Sequence, residues 1–247
     1  MDKTFLPERI IFAYIEEPPF AWTTSEGGAE GCDVDLACTV LHALGAREVV
    51  LQPTTFEQLL PGVAAGRWHV NTPLFVTPQR GQQVAFSQPV WALHDGFIVR
   101  AGNPLRLDSY RAIAEVGARL GVVTGQVQQE AARLAQVPTR RIQCFATQAE
   151  AVQALHDDCI DAYASTAVGN RIFVAGLGDP SVEAVDAHTP AGPPPAGAFS
   201  FALGAVALRQ RFDAALSAYL GSAAHRARMA HYGLSASEID PVLQLRA

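Results

Sequence analysis

Arg80 is the residue whose setting asks most plainly for a partner. It stands in LFVTPQRGQQVAF (74–86), between Phe75 and Phe86, and a guanidinium in apolar surroundings calls for an anion. Leu74, Phe75 and Val76 read as a short apolar strand, Thr77 as an N-cap, and Pro78 as the first helical residue, where a missing N–H costs nothing. Arg80 then falls in the first helical turn, beside N–H groups without intrahelical partners and the positive end of the helix dipole. A bound carboxylate would relieve both; an ion pair with a nearby Asp or Glu is the other solution.

The elements that must hold this arginine alternate between strand and helix patterns. RIIFAYI (9–15), VDLACTVLHALG (34–45), EVVLQP (48–53), FEQLLPGVAAG (56–66) and HVNTPLF (69–75) form a first run. After Gly96 a second run follows: FIVRAG, YRAIAEVG, RLGVVTG, a helix over 126–136, IQCFA, a helix over 148–156 and CIDAYAS. Such alternation predicts βαβ units and mainly parallel sheets, hence an α/β fold in two layers. AHTPAGPPPAG (187–197) is too rich in Pro and Gly for a helix or central strand and reads as a connector. FSFALGAVAL and one amphipathic helix over 210–233 close the chain.

At 247 residues and 49% apolar content the chain can bury a proper core, as one large domain or two small ones. Its net charge is −6, and its cations are scattered arginines with a single lysine, Lys3. No basic stripe exists to neutralise phosphates, so nucleic acid is not an expected partner. No apolar run is long enough to span a bilayer. MDKTFLPERIIF lacks the basic start, apolar middle and small-residue cleavage site of a secretory leader, which leaves a trimmed mature chain or a domain that works elsewhere. Cys32, Cys38, Cys144 and Cys159 show no metal-ligand spacing, and neither do the histidines; free thiols, no metal and no cofactor are expected. Trp22, Trp68 and Trp91 read as core and hinge packing.

Several segments, in order, resemble the family 3 extracellular solute-binding proteins, the amino-acid-type receptors of ABC importers. IIFAYIEEPPFAW (10–22) resembles the family's opening strand and "PPF" turn, and GCDVDLACTVLHALG (31–45) its "G-F-D-V-D-L-A" helix start. FEQLLPGVAAGRWHV (56–70) and VTPQRGQQVAFSQPV (76–90) resemble its "W-x-x-L-I-P-A-L-x-x-G-x-x-D" and "I-T-x-x-R-x-x-x-V-x-F-S-x-P-Y" segments. LGVVTGQVQQEAA (120–132), AVQALHDDCIDAYAS (151–165) and FALGAVALRQRFDAALSAYL (201–220) match its second lobe and closing helices. The resemblance implies a two-lobed type II periplasmic binding protein fold, with lobe 1 over 1–93 plus 198–247 and lobe 2 over 94–197. Chain crossings are then expected near 91–97 and 187–198, with the ligand cleft between the lobes.

In that family the arginine matching Arg80 holds the ligand carboxylate, helped by a hydroxyl and N–H groups at a second-lobe helix start. Here that start is VVTGQVQQ, which makes Thr124, Gly125 and Gln126 candidates; Thr124 reads equally well as a plain N-cap. The family's ammonium-binding Ser/Thr and acidic positions are occupied by Phe75 and Thr166, and Ser165 and Thr166 offer only hydroxyls. Asp161 survives at a place that is mostly structural in the family. What the chain offers instead is Glu17 with rings at Phe20, Phe56 and Phe75, a set that suits a flat, delocalised cation better than a bare ammonium. Glu17, Phe20, Phe75 and Arg80 resemble the spacing in the ectoine and hydroxyectoine receptors of the same family, with Phe56 as a third ring at one residue's difference. Rings at such positions also serve as core, and Glu16 could take the place of Glu17, since strand alternation lets only one point inward.

The implied function is a non-catalytic receptor that captures a small carboxylate-bearing zwitterion, ectoine-type favoured, by lobe closure. Its implied partners are that ligand and an ABC permease in the membrane, and it would work as a periplasmic monomer. A cyclohexadienyl dehydratase-like enzyme and a ligand-sensing domain of a receptor kinase are the alternatives.

Overall fold

The structure, a computed structural model, describes residues 7–188 and 192–244. Residues 1–6, with Lys3, residues 189–191 of the Pro- and Gly-rich connector and residues 245–247 lie outside the described residues. Two units divide the chain, one of Met1–Ala92 with Pro194–Ala247, the other of Leu93–Pro193.

The first unit opens with β1 (Arg9–Tyr14), a small pair β2 (Trp22–Thr23) and β3 (Ala29–Glu30), and α1 (Cys32–Ala43). It continues through β4 (Glu48–Pro53), α2 (Phe56–Ala64), β5 (Val70–Phe75), α3 (Pro78–Gly81), β6 (Val84–Phe86) and β7 (Trp91–Ala92). The second unit holds β8 (Asp95–Arg100), α4 (Tyr110–Val116), β9 (Leu120–Val123), α5 (Val127–Leu134) and β10 (Ile142–Phe145), then α6 (Gln148–His156), β11 (Ala162–Thr166), α7 (Ala167–Leu177) and β12 (Val182–Asp186). The chain returns to the first unit with β13 (Ala196–Ala202), α8 (Val206–Tyr219), α9 (Ala223–His231) and α10 (Ala236–Gln244).

The first sheet runs β4-β1-β5-β13-β6, with β7 also paired to β13, and the second runs β10-β9-β11-β8-β12. Strands linked by helical crossovers are parallel: β4, β1 and β5 in one sheet, β10, β9 and β11 in the other. The strands that enter or re-enter a unit, β13 and β8, lie antiparallel to their neighbours, so each sheet is mixed. The predicted parallel alternation therefore describes three strands of each sheet, and the long return connections set the direction of the rest.

Each sheet packs its own core. Ala13, Leu59, Val63, Trp68, Leu74 and Val84 cluster in the first unit, with Phe56 and Phe86 against them. Phe97, Val99, Ile113, Leu120, Val122 and Ala162 do so in the second. Each such large side chain removed from water stabilises its unit by about 1.5–3 kcal/mol. Side chains of Thr77, Ser109, Thr147, Thr166 and Ser222 accept from N–H groups in the first turns of α3, α4, α6, α7 and α9. The single closing helix expected over 210–233 is two, α8 and α9. Gly221 breaks it at φ 80°, a left-handed conformation, and a Cβ there would come within 2.9 Å of Leu243. Asp161 is gripped by Arg119 through Nε at 3.0 Å and Nη2 at 2.7 Å. All four cysteines are free thiols.

Candidate ligand-binding site

The turn that carries Glu17 and Phe20 is fixed from two sides. Glu17 and Ala21 bridge through their backbones, and the first N–H groups of α1 donate outward, Cys32 N to Pro19 O at 2.9 Å and Asp33 N to Phe20 O at 3.0 Å. Helix N–H groups that lack intrahelical partners thus hold the turn down. Gly31 permits this close approach: its φ is 133°, and a Cβ would fall 2.2 Å from Phe20 O. Glu16 is committed elsewhere, its carboxylate accepting from Thr23 N at 3.0 Å and from the Thr23 hydroxyl. Glu17 is the one whose charge reaches the start of α1, where it acts on Asp33.

Arg80 is buried in the one-turn helix α3, with its own N–H given to Thr77 Oγ1 at 3.2 Å. A helix of four residues carries little dipole, so the case for an anion rests on the buried guanidinium alone. That group donates from Nη1 to Phe75 O at 2.9 Å and lies 5.4 Å from the centre of the Phe56 ring. Burial pushes its pKa down to about 10. Phe75 meets the Trp91 indole edge-on at 5.3 Å, and Phe20 meets the same indole at 5.8 Å. Phe56, Arg80, Phe75, Trp91 and Phe20 therefore form one continuous chain of contacts. Phe56 also packs on the core cluster, the structural role open to a ring at this position.

Three residues of this arrangement escaped the sequence reading. Trp91, read as hinge packing, joins the two rings; its Nε1 donates to Asp33 Oδ1 at 3.1 Å, while Thr72 Oγ1 donates to Asp33 Oδ2 at 3.3 Å. These contacts join residues 39 and 58 positions apart, and the only local trace is that a buried indole N–H needs an acceptor. Desolvation raises the Asp33 pKa to about 8, with the charge of Glu17 pushing the same way against hydrogen bonds from Trp91, Thr72 and Cys32. A folded-state pKa above the unfolded one means the native state holds an extra proton between about pH 4 and pH 8. Stability from this group is full below that window and is lost as pH rises through it. Asp33→Asn removes the effect, so the ligand-free melting temperature of the parent should fall relative to the variant between those limits. Parallel pH profiles for the two proteins would refute the assignment.

In the second unit Thr124 does not cap a helix. Its N–H and Oγ1 both donate to Phe145 O, at 2.9 and 3.2 Å, tying the end of β9 to the end of β10. Gly125 turns the chain at φ 83°, and Gln126 holds the N-cap position of α5 with its N–H given to Val123 O at 3.2 Å. The N–H groups that a helix start leaves open thus begin at Val127, one residue beyond the expected set. Ser165 and Thr166 end β11, both buried, and Thr166 Oγ1 accepts from Gly169 N at 3.3 Å. Opposite Thr166, the Asp95 carboxylate accepts from Tyr110 and from Gln128, each at 2.8 Å.

The site residues expected from sequence lie at or just after the carboxyl ends of parallel strands. Glu17 and Phe20 come after β1, Phe56 after β4 and Arg80 after β5; Thr124 to Gln126 come after β9, and Ser165 and Thr166 close β11. Ligands of open α/β sheets bind at such strand ends. Among the described residues no group of side chains could hold a metal ion.

Two α/β units with polar and aromatic groups at their strand ends have the build of a protein that binds small solutes. A sequence model of the bacterial extracellular solute-binding proteins, family 3, matches residues 10–232, and the chain belongs to that family. A probable amino-acid ABC transporter periplasmic-binding protein of Sinorhizobium fredii is 31% identical over 218 residues, covering 84% of this chain and 71% of the relative. The crystal structure of EhuB in complex with hydroxyectoine superposes with a TM-score of 0.87 at 30% identity, over 96% of this chain and 91% of that one. An ancestral arginine-binding protein bound to glutamine, 21% identical with a TM-score of 0.82 over 92% of this chain and 99% of its own, shares the fold. Cyclohexadienyl dehydratase of Pseudomonas aeruginosa matches over 47% of this chain and 43% of its own. That partial match does not displace the binding-protein relatives, and the chain is a solute-binding protein rather than an enzyme.

Proposed function

We propose that this protein captures a small zwitterion with a flat, delocalised cationic ring and a carboxylate, of the ectoine type, by closure of its two units. Arg80 receives the carboxylate, joined by second-unit groups around Thr124, Gly125, Gln126, Ser165 and Thr166. Glu17 accepts from the ring's N–H, and Phe20, Phe56 and Phe75 enclose the ring. The loaded protein hands its ligand to an ABC permease in the membrane, working as a periplasmic monomer. The observation that carries this reading is the run of aromatic rings, Phe56, Phe75, Trp91 and Phe20, that starts at one buried guanidinium. A structure 30% identical in sequence, in complex with hydroxyectoine, supports the same ligand class.

A thermal-shift panel tests it: ectoine, hydroxyectoine, glycine betaine, polar amino acids and an aromatic carboxylate. A ligand at about a hundredfold excess over its Kd stabilises by about 2.7 kcal/mol, so the true class stands out. Phe75→Thr removes a ring face worth about 1 kcal/mol to a cation and should weaken ectoine by roughly fivefold to tenfold. Equal Kd values for ectoine in the variant and the parent would take Phe75 out of the site.

A further inference from the structure

The Asp33 carboxyl lies beneath the candidate site, 1% exposed, and does not cap its own helix, since the first N–H groups of α1 go to Pro19 and Phe20. It instead ties together three elements that are distant in sequence. Trp91 of β7 and Thr72 of β5 both donate to it, while it belongs to α1. Trp91 is constrained on every side: its N–H is bound to Asp33, Phe20 and Phe75 meet its ring, and Gly197 lies against it so closely that a Cβ there would come within 2.0 Å. Trp91 and Gly197 also flank the two places where the chain leaves and re-enters the first unit, after Ala92 and at Pro194.

We propose that Asp33 is a positioning residue for ligand selection, which by fixing the Trp91 indole sets the separation of Phe20 and Phe75 and so selects a flat ring over an open-chain ammonium. This rests on the ligand class proposed above. A carboxyl group is an expensive way to fill a buried space, because an apolar side chain would pack there without desolvation. Its return is direction: an indole with its N–H bonded has one orientation, whereas an indole held by packing alone can tilt. The Phe20 and Phe75 rings both touch that indole, so a tilt moves both walls. Burial raises the pKa of this carboxyl to about 8, with the charge of Glu17 pushing the same way, so at neutral pH it serves as a neutral anchor for the indole rather than as a counter-charge.

The test is a double-mutant cycle on the whole protein, read by calorimetry with ectoine and by Trp91 fluorescence without ligand. Asp33→Asn keeps an oxygen for the indole, and its amide can donate to Thr72, so ectoine should bind within about threefold of the parent. Asp33→Leu fills the space without an acceptor and should bind about tenfold more weakly, as should Trp91→Phe. The double variant should be no weaker than Trp91→Phe alone, because the two residues act as one unit. Without ligand, the Trp91 signal, taken as the difference from Trp91→Phe, should shift in Asp33→Leu and not in Asp33→Asn. If Asp33→Leu fails to fold, Trp91→Phe carries the same expectation, since it keeps a ring and drops the N–H. Additive losses, or ectoine bound as tightly by Asp33→Leu as by the parent, overturn the proposal. A parent that binds no ectoine overturns the ligand class and with it the selection of rings, while the ligand-free Trp91 signal still decides whether Asp33 anchors the indole.

Discussion

Arg80→Ala is expected to abolish the ligand-induced rise in melting temperature for every carboxylate-bearing compound in the panel. A charge-assisted fork to a carboxylate, made inside a desolvated site, is worth about 3 kcal/mol or more, so the Kd should rise by roughly a hundredfold at least. Lysine should not restore it fully, because a compact ammonium cannot offer two parallel N–H groups to one carboxylate. The ligand-free protein should fold and melt almost as before. Burial disfavours the charged guanidinium and lowers its pKa to about 10, so its removal relieves a cost that offsets the loss of contacts such as those with Phe75 O and the Phe56 ring. This pairing of results, binding lost and fold kept, separates a ligand contact from a structural ion pair. A variant that still answers ectoine like the parent, or that unfolds at room temperature, would return Arg80 to the structural role.

The strand ends were legible because local chemistry writes them. EVVLQP is β4 to the residue, the helix expected over 148–156 is α6, and Thr77 caps α3 with Pro78 and Arg80 inside it, as the capping rules predict. The candidate site was legible as far as it depends on positions near those ends: Glu17 after β1, Phe56 after β4, Arg80 after β5. What sequence could not supply is contact across distance. Asp33 stood in plain view as part of a helix-start motif, yet nothing nearby shows that its side chain turns from the helix start toward Trp91. Thr124 misled for a related reason. A threonine before Gly125 looks like a cap, but the glycine turns the chain first, and the hydroxyl finds Phe145 O on the neighbouring strand. The return strands β8 and β13 were readable as strands and unreadable in direction, because direction follows from where a long connection re-enters the sheet.

Glu17→Gln should weaken ectoine by about tenfold to a hundredfold, the range that removal of a charged hydrogen-bond partner, about 1.5–3 kcal/mol, produces. The substitution keeps length, shape and one acceptor oxygen, so the loss reports charge. Its side effect has a definite sign: without the negative charge of Glu17, the Asp33 carboxyl loses one of the causes that raise its pKa, and that pKa should drop. The ligand-free variant is thus expected to be no less stable than the parent at neutral pH. The discriminating measurement uses two ligands of opposite character. Ectoine, with a cationic ring, should lose affinity, whereas benzoate, a carboxylate on a neutral ring, should lose none or gain, because a repelling charge has gone. Equal losses for both would mean that Glu17 shapes the turn around Phe20 rather than meeting the ring, and unchanged affinity for both would leave the cation with no counter-charge in the first unit's site as drawn.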